Sequence, residues 1–278
     1  MALRGERAVY RLAPGHILQF LYLKHRLRAR GLRTFVEIGA GNGSLSRVLL
    51  KLGLTGSGFD LNAAACENSR ALNAGAVASG SYAVRCEDFS TAAVAPVDLI
   101  ISSMVIEHLT PAEVDAYFTR ARLLLNPNGL IVTVVPASPR HWGIEDDIAG
   151  HQKRYTRADF DDLARSHGLR VIHIAGLTYP LSNWLLGLSN RLVRRAESWK
   201  LATDAHTRTV ASGNRQVRGK TEFPGFVKFL VNEVTMFPLH LIQMLGRGHP
   251  HALVLYAEME PIREIQRSST ARPNPARP

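Results

Sequence analysis

The run Glu37-Ile38-Gly39-Ala40-Gly41-Asn42-Gly43 places glycines at alternate positions, two residues after a carboxylate. The short apolar stretch TFV precedes it, and SLSRVLLKLG, with helical spacing, follows. Glycine lets a backbone bend tightly and approach a ligand closely. The helix head behind the bend offers free N–H groups and the positive end of a dipole. A bend of this kind binds either a dinucleotide pyrophosphate or the amino-acid part of S-adenosylmethionine. The dinucleotide pattern needs glycine or alanine where this chain has Ser44. Asp60 ends the next strand, about 20 residues on, where a carboxylate can accept both hydroxyls of a ribose. Taken alone, Asp60 would read as a helix N-cap.

Carboxylate, alternating glycines and Asp60 occur in the order found in class I S-adenosylmethionine-dependent methyltransferases, and the chain resembles that family, in particular its small-molecule, ubiquinone-type members. The resemblance covers roughly residues 34–176 and the strand at 251–259. It implies an α/β, Rossmann-like, seven-stranded sheet, mostly parallel with an antiparallel last strand. It also implies S-adenosylmethionine as co-substrate, gripped by Glu37, Gly39, Ala40, Gly41 and Gly43, with Asp60 and Leu61 at the ribose. Asp88 and Phe89 would meet the adenine. Ser103, Met104 and His108, in the segment SSMVIEHL, would close over the methionyl part.

A second likeness, over Pro136–Phe160, joins His141-Trp142-Gly143, Asp146-Asp147, Gly150-His151 and Arg154-Tyr155-Thr156. It is shared with enzymes of bacterial secondary-metabolite and lipid- or glycan-modifying pathways. Methyl transfer from a sulfonium is an in-line displacement, so the main task is alignment of the reactants. A hydroxyl acceptor must also lose its proton, and histidine has a suitable pKa. His108, His141 and His151 all follow strand ends. His151 is the preferred base and His141 the second, with Tyr155 orienting the substrate; the competing reading has His151 only bonding backbone. Glu107 and His108 are two donors for a divalent ion, too few for a site, so no metal is expected.

Strands alternate with helices from TFVEI to GLRVIHIAG, which implies parallel strands and right-handed crossovers. VDLIISSMV is apolar throughout, as a strand covered on both faces should be. Asn126-Pro127-Asn128-Gly129 reads as a turn. Residues 14–30 read as an amphipathic helix with Ile17, Leu18, Leu21 and Leu27 near one stripe. From Leu177 the alternation stops. The expected organisation is an N-terminal helical segment at 1–33, a donor-binding domain at 34–177 and 251–260, a helical cap at 178–250, and a disordered tail at 261–278. Within the cap, the polar stretch 203–222 reads as mobile.

The formal charge is +11, but residues 34–190 carry −3 while 1–33 and 191–278 carry +7 each. Basic flanks suit an anionic partner or simple solubility. Arg191, Arg194, Arg195, Lys200, Arg215, Arg218 and Lys220 lie in the cap among apolar residues, which fits a hydrophobic or anionic small-molecule acceptor, or a peripheral membrane contact through 178–250. The second apolar stretch of the cap is broken by Pro224, Asn232, Glu233, Pro238 and His240, so it does not read as a membrane span. Two cysteines and no leader-like N-terminus point to the cytoplasm. Amino-group methyltransferases of nucleic acids carry an Asn/Asp-Pro-Pro-aromatic segment where SSMVIEH stands, so no nucleic acid is expected. The leading expectation is methylation of oxygen on a small or lipid-like molecule. N- or C-methylation, and donor binding without catalysis, are the alternatives.

Overall fold

The protein is described by a computed structural model covering residues 9–10, 13–199, 223–224 and 227–262. The stretch 203–222, the tail after Ile262, and Lys200, Arg215, Arg218 and Lys220 lie outside the described residues. Seven strands form one sheet: β1 Thr34–Ile38, β2 Thr55–Phe59, β3 Tyr82–Arg85, β4 Val97–Ser103, β5 Leu125–Pro136, β6 Leu169–Leu177 and β7 Val254–Pro261. Their order across the sheet is β3-β2-β1-β4-β5-β7-β6. The first five run parallel, and β7 is antiparallel to both its neighbours. Strand order reverses between β1 and β4, and open sheets of this kind bind ligands at such a point, beyond the carboxyl ends of the strands.

The helices are α1 Pro14–Leu27, α2 Ser44–Lys51, α3 Ala63–Leu72, α4 Ala74–Ala78, α5 Pro111–Leu123, α6 Ile144–Ala149, α7 Arg157–Ser166, α8 Leu181–Glu197, α9 Val227–Leu230 and α10 Phe237–Gly246. Local chemistry sets their starts. Thr110 accepts from the Glu113 N–H while Glu113 reaches back, with Pro111 at the first position of α5. Thr156 and Asp159 repeat this box at α7.

Both sheet faces are covered. α1 lays Tyr22, Leu23 and Leu27 into one core with Leu99, Val132 and Tyr256. On the other face Phe118 of α5 and Phe160 of α7 pack over Ile100 and Ile131. β4 is buried almost end to end, as its unbroken apolar run requires. Beneath α1 the buried Glu258 carboxylate of β7 accepts from Arg26 (2.7 Å), Arg30 and the Tyr256 hydroxyl (2.8 Å).

Two local expectations change. The first helix stops at Leu27, and Gly31 takes a left-handed φ of 68° just beyond. Asn126–Gly129 is not a free turn: Leu125 pairs with Val97 and Leu130 with Leu99, so these residues bulge from a continuous β5. A two-residue ladder between Val9–Tyr10 and Phe223–Pro224 has no counterpart in the sequence reading.

Candidate active site

β1 delivers the glycine run to the carboxyl edge of the sheet, and α2 begins directly behind it. Gly39, Gly41 and Gly43 all have positive φ, at 68°, 52° and 76°. A Cβ on Gly39 would strike the Val105 side chain, and one on Gly43 would lie 2.6 Å from Asn73 Nδ2. Only glycine keeps this bend open. The Ala40 N–H donates to Phe59 O at 2.9 Å, and the Gly41 N–H donates to Asp60 Oδ2 at 2.8 Å. The other Asp60 oxygen accepts from the Asn62 N–H at 2.8 Å. Asp60 therefore locks the bend while standing in the cavity wall beside the exposed Leu61. It is not the cap of α3; Asn62 is.

Glu37 is buried at the foot of this cradle, where its carboxylate accepts from Ser46 Oγ, and the Tyr82 hydroxyl lies 2.8 Å from that same Oγ. Burial pushes the Glu37 carboxyl up to about 8; the Ser46 bonds oppose this and the neighbouring Asp60 adds to it. Ser46, which bonds to this acid, and Tyr82, which bonds to Ser46, carried no sequence signal. Phe89 is buried edge-on to Phe59, with ring centroids 5.5 Å apart, and Asp88 accepts from the Ser90 N–H at 2.8 Å. Both line the cavity, as do Ser103 and Met104 at the end of β4.

Opposite the cradle, the loop after β5 folds into α6 and returns along the same cavity. His151 Nδ1 lies 2.7 Å from Asp146 Oδ1, and the same oxygen accepts from Arg154 Nε at 2.8 Å. Asp146 Oδ2 accepts from the Gly143 N–H at 2.8 Å. Burial works to raise the Asp146 carboxyl, but the bonds from His151 and Arg154 prevail and hold it below its ordinary value. His151 is thus fixed through Nδ1 with its ring in the cavity wall. The His108 ring meets it edge-on, with centroids 4.8 Å apart.

Glu107 is fully buried next to His108, and neither of its carboxylate oxygens has a hydrogen-bond partner among the described residues. Burial pushes it up to about 8, with Asp146 adding and Arg154 opposing. Glu107, His108 and His151 each offer one donor atom, all within 4.8 Å of one another, a set that suits a divalent cation. The sequence reading named two of these donors; the fold supplies His151 as the third.

Two predicted residues leave the site. Tyr155 is buried in the core, donates to Ile106 O at 3.1 Å and does not line the cavity. It steadies the segment carrying Glu107 instead of orienting a substrate. His141 also lies off the cavity, with its ring 6.4 Å from that of His251. Burial and the flanking Arg140 lower its pKa. Asp146 and Arg154 were visible only as parts of a motif. Their roles depend on α6 turning the chain back, which spacing alone does not reveal.

One cavity of about 1650 Å³ joins these parts, from the glycine bend and Asp60 through His151 to Gln19 of α1 and Leu185 of α8. It is larger than the ~300–1,000 Å³ of an ordinary single-ligand pocket, which leaves room for two reactants.

The family model of the methyltransferase domain matches residues 7–174. No curated protein matches the chain. Among solved structures, the magnesium protoporphyrin IX methyltransferase of Synechocystis PCC 6803 aligns over 59% of this chain and 77% of its own, at 18% identity and a TM-score of 0.50. A Galdieria sulphuraria protein described as a sarcosine dimethylglycine methyltransferase aligns over 88% and 85%, at 13% identity and a TM-score of 0.51. The chain spans about half (51%) of the mitomycin 7-O-methyltransferase MmcR, which aligns over 56% of this chain at 18% identity and a TM-score of 0.46. At these identities the likeness is one of fold.

Proposed function

This chain belongs to the methyltransferase-domain family, and from the geometry of its cavity we propose that it moves a methyl group from S-adenosylmethionine to a hydroxyl oxygen of a small, hydrophobic or lipid-like acceptor. The observation that carries this reading is the continuity of one cavity. Its wall holds both the glycine cradle with Asp60 and the Asp146-oriented His151.

The donor supplies an electrophilic methyl carbon on a sulfonium and departs as a neutral thioether. The chain's task is to hold and align. The N–H groups at the head of α2 face the carboxylate of the methionyl part. Asp60 accepts from the ribose hydroxyls with the lone pairs its two backbone bonds leave free. Asp88 takes the adenine amino group, and Phe89 backs the ring. His151 Nδ1 is engaged by Asp146, so Nε2 is left to take the hydroxyl proton as the new C–O bond forms. Asp146 then stabilises the imidazolium, and Arg154 keeps Asp146 ionised. Leu185 and Leu192 of α8 give the acceptor side of the cavity an apolar wall.

The test is transfer of labelled methyl from S-adenosylmethionine to a panel of hydroxylated amphiphiles. The expected result is an ether or ester product with equimolar S-adenosylhomocysteine. Products methylated only on nitrogen or carbon would reject the oxygen assignment. A second reading is favoured by the unpartnered Glu107 oxygens: Glu107, His108 and His151 would hold a divalent ion that acidifies the acceptor hydroxyl. Chelation with EDTA separates the two. Turnover unchanged by EDTA supports His151 as base, whereas loss that added magnesium, manganese or zinc restores supports the ion.

A further inference from the structure

The cavity explains the inner side of α8 and leaves the outer side of the helices that follow β6 without a role. α10 is turned inside out relative to a helix in water. Its polar residues His240 and Gln243 are buried, while Phe237, Leu241, Ile242 and Leu245 are exposed, Leu245 by 89%. The inward placement of Gln243 is specific: it donates to Leu18 O at 3.1 Å and accepts from the Thr178 N–H at 2.6 Å. The apolar residues are thus held outward by a satisfied polar contact beneath them.

α8 carries a related stripe. Trp184, Leu188, Arg191 and Arg195 recur at three- and four-residue steps and are all exposed, Trp184 by 72%. Leu181 of α8 and Leu239 of α10 pack in one apolar cluster with Met236 and with Ile17 and Leu18 of α1. Leu185 and Leu188 belong both to the exposed side of α8 and to the cavity wall, so the cavity opens on this face. Glu233, which also lines the cavity, is paired with Lys24 at 2.5 Å. The face lies outside residues 7–174, the part shared with the family.

We propose that the outer face of α8 and α10 docks on an anionic lipid surface, with Phe237, Leu241, Leu245 and Trp184 among the acyl-chain ends and Arg191 and Arg195 at the phosphates. Apolar residues flanked by arginine and tryptophan match the layers of a bilayer surface. A second copy of this chain fits less well, because a two-fold contact through the α8 stripe would set arginines against their own copies. None of the described helices is long and apolar enough to cross a membrane, so contact is in the plane of the surface.

Flotation of the full chain with vesicles tests this, independently of what the cavity binds. The expected result is co-flotation with phosphatidylcholine–phosphatidylglycerol vesicles, much weaker flotation with phosphatidylcholine alone, and release by salt. Leu245→Glu combined with Trp184→Gln should abolish it. Arg191→Ala and Arg195→Ala should each weaken it by roughly fivefold. Every variant should bind S-adenosylhomocysteine as the unaltered chain does, which separates lost docking from lost folding. Absence of flotation with anionic vesicles overturns the proposal. So does a dimer by light scattering that Leu245→Glu dissolves. If vesicles bind but S-adenosylhomocysteine does not, the methyl-transfer reading fails and the docking surface stands.

Discussion

Asp60→Asn is the most informative single change because the structure fixes what each carboxylate oxygen does. Oδ2 accepts from Gly41 N–H and Oδ1 from Asn62 N–H, both at 2.8 Å. A carboxamide has one oxygen, so one of these N–H groups would face an NH2 group and lose its partner. If the Gly41 bond is lost, the glycine bend loosens; if the Asn62 bond is lost, the start of α3 does. Either way the donor's ribose loses a charged acceptor. Hydrogen bonds to charged groups contribute about 1.5–3 kcal/mol each, against about 1 kcal/mol for neutral ones. Two ribose bonds reduced to one neutral bond therefore cost about 2–5 kcal/mol, or roughly 30- to 5,000-fold in Kd. The assay is calorimetric titration with S-adenosylhomocysteine, which needs no acceptor, alongside thermal unfolding to show that the variant is folded at the temperature used. A Kd within about threefold of the unaltered chain would refute the placement of the ribose at Asp60.

His151→Ala should keep S-adenosylhomocysteine affinity and lower turnover by about 10²–10⁴, the usual contribution of a positioned base; unchanged turnover in a methylation assay would remove His151 from the chemistry. Gly43→Ala forces a side chain into a φ of 76° against Asn73, costing at least about 1–2 kcal/mol, so its melting temperature should fall by roughly 2 °C or more and donor affinity with it. Glu258 is buried, which would raise its carboxyl, but Arg26, Tyr256 and Arg30 hold it below the ordinary value. Its contribution is therefore complete above the unfolded value of about 4.3 and is lost as pH falls through the lower folded one. Thermal unfolding followed against pH should show an acid decline that Glu258→Gln flattens. Arg26→Ala should cost about 1–3 kcal/mol near neutrality, since Arg30 and Tyr256 still serve the carboxylate.

The glycine bend and its tie to Asp60 were legible in the sequence because they are local. Three glycines, one carboxylate before them and one a strand later are tied by a single strand–helix–strand unit, and Gly39 to Asp60 close on each other through Gly41 N–H. The geometry of the loop after β5 was legible only in part. His151 was found from its place after a strand end, but its partner depends on α6 ending at Gly150, with a left-handed φ of 75°, so that His151 folds back onto Asp146. His141 and Tyr155 have equally suggestive positions in the chain and point elsewhere, one beside His251 and one into the core. The inversion of α10 was invisible for the same reason. An apolar run with one histidine and one glutamine does not say which side faces out until Leu18 O and Thr178 N–H appear as partners for Gln243.

In the proposed function the open glycine bend and Asp60 take the donor. Titrating the unaltered chain with S-adenosylmethionine and, separately, with NAD tests it most directly by calorimetry. One-to-one binding of S-adenosylmethionine with no heat from NAD is the predicted result. No heat from S-adenosylmethionine, or saturable binding of NAD in its place, would contradict it.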